Sequence, residues 1–266
     1  MSSDWSYDPI AAVYDRLLAP HIFAAPARDL IAAVNVVGAR SVLDVGTGTG
    51  LAASAAEQSL GTHGIVLGLD CSLGMLRFAR ENGVRLAVAA QVPGIPFPAN
   101  SFDIVVSGFV ISHFRDYREA LLDLVRVIKS GGSFGATAWQ VTDDEFMRAW
   151  KEVAKAFVDV DRVTAAAQEA IPGEERFSDP DRLRAAFESA GLLRVSVERR
   201  RYRYSMGIDE FLDIQEYRAT GRLMREAIGS DAWQRFRDQL AATFHARFRP
   251  PIEYTRNALI AVGSKP

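Results

Sequence analysis

Cysteine is nearly absent from this chain of 266 residues: Cys71 stands alone. That excludes an internal disulfide and a metal centre built from several cysteines, and a reducing, cytoplasmic setting is expected. Histidine is scarce as well. His21, His63, His113 and His245 are the four, so few side chains can serve as a base near neutral pH. Neither sign of charge is in surplus. Thirty-one Lys and Arg stand against 33 Asp and Glu, a formal net charge of -2, which gives no electrostatic footprint for nucleic acid. No uninterrupted apolar run reaches membrane-spanning length, and Met1-Ser2-Ser3-Asp4 carries no basic residue to open a secretory signal. Neither a membrane span nor a leader is expected. Low-complexity tracts and internal repeats are also missing.

What the chain does have is apolar material, 48% of its residues, enough for a full core. Strand-like and helix-like patterns alternate between residues 41 and 138: strands at 41–45, 64–69, 84–89, 102–107 and 132–138, helices at 50–60, 73–82 and 117–129. Such alternation specifies a parallel sheet with helices on both faces, and ligands bind such sheets beyond the carboxyl ends of the strands. Residues 8–35 read as helical, with Pro20 an expected interruption. After residue 140 the pattern changes. Phe146, Trp150, Ala154 and Phe157 share a helical face, and 165–175 reads as loop or frayed helix. Ser178-Asp179-Pro180-Asp181 is a helix start. Leu193 to Tyr204 alternates as a strand, 208–248 is mostly helical, and Tyr254 to Val262 closes as a strand. Arg199-Arg200-Arg201-Tyr202-Arg203-Tyr204 reads as an edge strand whose charges discourage further pairing.

The most informative stretch is Val42-Leu43-Asp44-Val45-Gly46-Thr47-Gly48-Thr49-Gly50. A strand ends in an acid and three glycines at alternate positions, and a helix follows. Asp70 ends the next strand, 20 residues after Gly50. Glycine lets the backbone approach a ligand closely, and an acid in this place can accept both hydroxyls of a ribose. The spacing differs from the G-x-G-x-x-G of dinucleotide loops, which present amides to a pyrophosphate.

The acid-x-G-x-G-x-G pattern resembles motif I of the class I S-adenosylmethionine-dependent methyltransferases. Three further segments resemble that family in order: Leu69-Asp70-Cys71-Ser72-Leu73-Gly74-Met75-Leu76, Ile95-Pro96-Phe97-Pro98-Ala99-Asn100-Ser101-Phe102-Asp103, and Val125-Arg126-Val127-Ile128-Lys129-Ser130-Gly131-Gly132. Together they cover about residues 40–140, and the likeness is strongest to the ubiquinone-biosynthesis-type small-molecule branch. The resemblance implies a Rossmann-like α/β fold with a seven-stranded, mostly parallel sheet whose last strand is antiparallel. It implies one domain over 1–266, with a cofactor core at about 36–140 and helical cap insertions at about 8–35, 141–177 and 205–250.

It also implies S-adenosyl-L-methionine as cofactor. Asp44, Gly46, Thr47 and Gly48 would form the methionine loop, and Asp70 would hold the ribose. Cys71 and Met75 would pack on the adenine. Gln91 and Val92 would stand where the family has an acid that accepts from the adenine amino group. Ser107, Gly108 and Phe109 would meet the methionine ammonium or line the methyl channel. Tyr14, in a family-like Tyr14-Asp15 pair, would close over the cofactor. His113, with His21 as a second candidate, would face the substrate as a general base. The implied reaction is methyl transfer to an O, N or C nucleophile of a small, apolar or aromatic molecule. A cyclase-like enzyme that keeps the sulfonium for its charge, or a regulator on the same fold, fits the same motifs.

Overall fold

Alternate residues of the first strand divide between two apolar cores. Val42 faces one, while Leu43 and Val45 face the other. The computed structural model describes residues 6–61 and 64–266; His63, expected in the turn before the second strand, lies outside the described residues.

The strands are β1 (Ser41–Val45), β2 (Ile65–Asp70), β3 (Leu86–Ala89), β4 (Phe102–Gly108), β5 (Ile128–Trp139), β6 (Leu193–Met206) and β7 (Ile252–Ser264). They form one seven-stranded sheet in the order β3-β2-β1-β4-β5-β7-β6. Pairing is parallel from β3 through β5, and β7 runs antiparallel to β5. The order reverses at β1, so the crevice between the ends of β1 and β4 is the place where such a sheet binds ligands. The mostly parallel sheet with an antiparallel late strand is the expected one.

Helices cover the sheet. A 3-10 turn at Asp8–Ile10 leads through α1 (Ala11–Val13) and a π-helical stretch, Tyr14–Phe23, into α2 (Ala24–Val34). Further helices beside the sheet are α3 (Leu51–Leu60), α4 (Leu73–Glu81) and α5 (Tyr117–Val127). Leu30, Ile31 and Val34 of α2 join Ala52, Ala53 and Ala56 of α3 against Val42, Ile104 and Val106. On the other face, Leu121 and Leu124 of α5 pack with Phe134 and Phe187.

Pro20 does not interrupt the N-terminal run. The wider π-type turn accommodates it, because the bond that proline cannot donate is not part of a regular i to i-4 ladder there. As one continuous helical run, Asp8–Val34 is also long and apolar enough to cross a membrane by length and composition, unlike the expectation from uninterrupted apolar runs. Leu18, Ala19, Ile22, Leu30, Ile31 and Val34 are nevertheless buried within the protein.

Later helices are α6 (Glu145–Ala154), α7 (Val160–Ala170), α8 (Glu174–Phe177), α9 (Pro180–Ser189), α10 (Ile208–Glu216) and α11 (Ala219–Arg247), which bends at Gly229. Part of 165–175, expected as loop or frayed helix, is helical: Asp159 caps α7 through the amides of Asp161 and Arg162. Asp179 caps α9 in the same way, as its sequence indicates. In β6 the side chains of Tyr202 and Tyr204 are buried and the arginines at 199, 200, 201 and 203 are exposed at the end of the sheet.

The chain resolves into two compact units. One comprises 1–140, 173–201 and 257–266 and holds most of the sheet; the other comprises 141–172 and 202–256 and is largely helical. The N-terminal segment 8–34 belongs with the sheet unit, while the segments expected as later caps fall mainly in the helical unit.

Candidate active site

The turn after β1 exists because its glycines adopt a backbone that other residues avoid. Gly46, Gly48 and Gly50 have φ of 68°, 55° and 96°. A Cβ on Gly46 would lie 2.2 Å from Cγ2 of Val110, so close approach as well as conformation requires glycine there. At Gly48 the nearest atom to such a Cβ is Cε1 of Tyr14, at 3.9 Å. The amides of Gly46 and Thr47 donate to the Leu69 carbonyl and tie the loop to the end of β2.

Asp44 is 1% exposed. Thr47 Oγ1 and the Ala53 amide donate to its Oδ2, at 2.8 and 3.0 Å. Oδ1 is left to meet a cation. Burial raises this carboxyl to about 6, against the lowering effect of those two bonds. Asp70 is held differently: the Ser72 amide donates to Oδ1 and the Gly48 amide to Oδ2, both at 2.9 Å. Burial raises its pKa, opposed by the same amides. Each carboxylate oxygen keeps a second lone pair for a ribose hydroxyl.

A narrow cleft of about 40 Å³ lies between these elements. Asp44, Gly46, Thr47 and Gly48 line it from β1 and its turn, Gly108 and Phe109 from the end of β4, and Tyr14 from the N-terminal run. Burial raises the Tyr14 phenol well above its ordinary value. Sequence reasoning missed Phe23, Ala27, Thr49, Leu51, Ala52 and Thr137, which complete the lining. Thr137 was detectable in principle, since it sits near the carboxyl end of β5. Phe109 has φ of 61°, unusual for a residue with a side chain, and its amide donates to Thr137 Oγ1 at 3.0 Å. Its ring stacks on Trp139 at 4.2 Å, Phe23 meets Phe109 edge-on at 5.3 Å, and Tyr14 stacks on Phe23 at 5.4 Å.

Asp70 and the remaining expected residues lie outside the cleft lining. Met75 is buried in α4 and Cys71 is exposed beside Asp70. Partial burial of the thiol, with Asp70 adding to it, pushes the Cys71 pKa up, away from a reactive thiolate. Gln91 is exposed just beyond β3, and Val92 packs against the apolar core. Ser107 is fully buried, its hydroxyl enclosed without a hydrogen bond among the described residues. His113 ends a short 3-10 turn, Ile111–His113, and its Nε2 lies 3.4 Å from the hydroxyl of Tyr7. His21 is exposed in the π-helical stretch and does not line the cleft.

A sheet whose first crossover turn has glycines at alternate positions, with one acid near the end of the first strand and another at the tip of the second, defines a Rossmann-like binder of an adenosine cofactor. A family model described as "Methyltransferase domain" matches residues 43–136. A demethylmenaquinone methyltransferase of Staphylococcus haemolyticus is 33% identical over 172 residues, 60% of this chain and 71% of that protein. An aklanonic acid methyltransferase of Streptomyces is 31% identical over 141 residues, 50% of this chain and 63% of that one. Among solved structures, the YcgJ protein of Bacillus subtilis shares the fold, with a TM-score of 0.56 at 20% identity, covering 91% of this chain and 98% of that one. So does phosphoethanolamine N-methyltransferase 2 of Haemonchus contortus in complex with S-adenosyl-L-methionine. Its TM-score is 0.53 at 18% identity, over 91% of this chain and 52% of that one. The chain belongs to the class I S-adenosylmethionine-dependent methyltransferases of the quinone-biosynthesis type.

The residues present fit that cofactor. The glycine turn leaves room that side chains would fill, Asp44 keeps a carboxylate oxygen for a positive group, and Asp70 has capacity for two hydroxyls.

Proposed function

We propose that this methyltransferase acts on a hydroxylated aromatic molecule, a quinol or a phenolic polyketide in chemical class, at a ring carbon or a ring oxygen. The observation that carries this reading is the aromatic group beside the cleft: Phe109 stacked on Trp139, with Phe23 and Tyr14 extending the series. Flat apolar walls suit a flat apolar acceptor. The names of two relatives, one acting on demethylmenaquinone and one on aklanonic acid, support the same class.

S-adenosylmethionine supplies an electrophilic methyl group carried on a sulfonium. Asp70 would hold the ribose, the Gly46–Gly48 backbone and Asp44 the methionine end, and Tyr14 would close the cleft. The ring group around Phe109 and Trp139 would align the acceptor and exclude water, and positioning of this kind supplies most of what such a displacement needs. His113 would take the proton from an acceptor hydroxyl, with Tyr7 beside it. His21, exposed and off the cleft, is the weaker candidate. The single cysteine supports a cytoplasmic place of work.

The test is to incubate the enzyme with methyl-labelled cofactor and an equimolar panel of acceptors: a naphthohydroquinone, an anthraquinone-type phenol, glycine and phosphoethanolamine. Label should appear in the aromatic acceptors. Label confined to glycine or phosphoethanolamine would overturn the reading.

A further inference from the structure

Phe109 is the first residue past β4 and takes a φ of 61°. Residues with side chains rarely enter that left-handed region. Asn35 and Asn100, also found there, are of a type that tolerates it; an aromatic residue is not. The preceding Gly108 could take such a backbone freely, yet its φ is not in that region. The unfavourable conformation thus falls on the residue that carries a ring. Conformations of this kind persist where their surroundings over-determine them, and they gather at active sites and ligand clamps.

The surroundings here are supplied by Thr137. The Phe109 amide donates to the Thr137 carbonyl at 3.2 Å and to Thr137 Oγ1 at 3.0 Å. Any residue at 137 could offer the first bond, but only a hydroxyl or a similar acceptor offers the second. Thr137 is 1% exposed, and its strand is paired on both sides, with Gly108 of β4 and Ile260 of β7 as its partners. A β-branched side chain in such a strand has few rotamers, so the acceptor is held in place. The Phe109 ring stacks on Trp139, two residues along β5, and both Phe109 and Thr137 line the cleft. One short piece of β5 therefore holds the Phe109 backbone through Thr137 and its ring through Trp139.

We propose that Thr137 is a positioning residue for methyl transfer: its hydroxyl fixes the Phe109 backbone, and so aims the ring against which the acceptor is aligned. The proposal rests on the aromatic-acceptor reading above. Thr137 acts through Phe109 and not by touching the acceptor.

The test compares Thr137→Val, which keeps the shape and removes the hydroxyl, with Thr137→Ser, which keeps the hydroxyl. With cofactor and the naphthohydroquinone both saturating, Thr137→Val should lower kcat about ten- to a hundredfold, as a misplaced reactant does. Its affinity for S-adenosylhomocysteine, measured by calorimetry, should stay within about twofold of wild type, which also shows that it is folded. Thr137→Ser should recover most of the lost kcat. In a Phe109→Gly background no ring remains to be aimed, so adding Thr137→Val should have little further effect. A second signature needs no acceptor. In fluorotryptophan-labelled protein, the Trp139 resonance, assigned by its loss in Trp139→Phe, should move in Thr137→Val and return in Thr137→Ser. Wild-type labelling of glycine or phosphoethanolamine alone would defeat the acceptor reading, while this resonance would still decide whether Thr137 sets the ring. Unchanged kcat or an unmoved resonance in Thr137→Val, no recovery in Thr137→Ser, an equal loss in the Phe109→Gly background, or a large loss of cofactor affinity would each overturn the assignment.

Discussion

Asp44 and Asp70 are both acids at strand ends, yet the chain prepares them differently. Asp44 is enclosed, with its two bonds on one oxygen, whereas Asp70 takes an amide on each oxygen. Asp44 has a folded pKa of about 6 against an ordinary 3.8. A raised carboxyl binds its proton more tightly when folded, so its contribution to stability is complete below about pH 4 and is lost as pH rises through about 6. The ligand-free protein should lose stability across that window. Cofactor affinity should move oppositely, gaining up to about tenfold per pH unit until Asp44 is ionised, because the carboxylate attracts a cation. Calorimetry of S-adenosylmethionine binding from about pH 5 to 8 checks this, and Asp44→Asn should flatten the part due to Asp44. Asp70→Ala should weaken cofactor binding about ten- to a hundredfold, through lost bonds to a charged acceptor. Unchanged affinity would reduce Asp70 to the partner of two amides. His113→Ala should lower turnover about 10²- to 10⁴-fold for a hydroxyl acceptor while leaving cofactor affinity nearly constant. A large loss of cofactor affinity instead would make His113 part of the cofactor pocket. At this scale the glycine loop and the two acids were legible, because their chemistry depends on local backbone. Phe23 and Trp139 were not, because only tertiary packing brings them to Phe109.

Among the elements, the N-terminal run is tied to α4 at both ends, through Asp8 and Asp15, the latter accepting from Asn82 Nδ2 at 2.7 Å. Asp8 Oδ1 accepts from the Gly74 amide at 2.6 Å and from Ser72 Oγ at 2.7 Å, so it serves the start of α4 from a distant part of the chain. The Gly74 amide first, then Ser72, holds its carboxyl below the ordinary value. Asp8→Ala should cost about 1 kcal/mol, the usual worth of such a cap, measured by denaturant unfolding. The same run carries Tyr14 and Phe23 into the cleft lining, so a bound cofactor is expected to steady it. Hydrogen exchange over 8–23 should be faster in Asp8→Ala and slower once S-adenosylhomocysteine is bound; identical exchange in all three states would contradict this. The sequence showed a helix here but not its continuity through Pro20, since a π-type turn leaves no periodic signature in ten residues. It showed α9 clearly, through the Asp179-Pro180 start. It showed no more than loop or frayed helix around α7, whose buried residues are only Val163 and Ala167, too few for a strong apolar stripe.

For the whole molecule, the alternation of strand and helix from Ser41 to Trp139 was enough to anticipate a parallel sheet, because each parallel connection needs a crossover. The antiparallel β7 came from the family resemblance rather than from periodicity. The helical unit was less legible: its amphipathic helices show that something is buried, but not which rings pack together. The sheet unit should position S-adenosylmethionine between the glycine turn after β1 and the ends of β2 and β4. A crystal structure with S-adenosylhomocysteine bound tests it most directly. Ribose hydroxyls are expected on Asp70, the homocysteine portion along Gly46–Gly48 and Gly108, and the sulfur directed toward Phe109. Ribose density away from Asp70, or a cofactor bound outside the glycine turn, would contradict it.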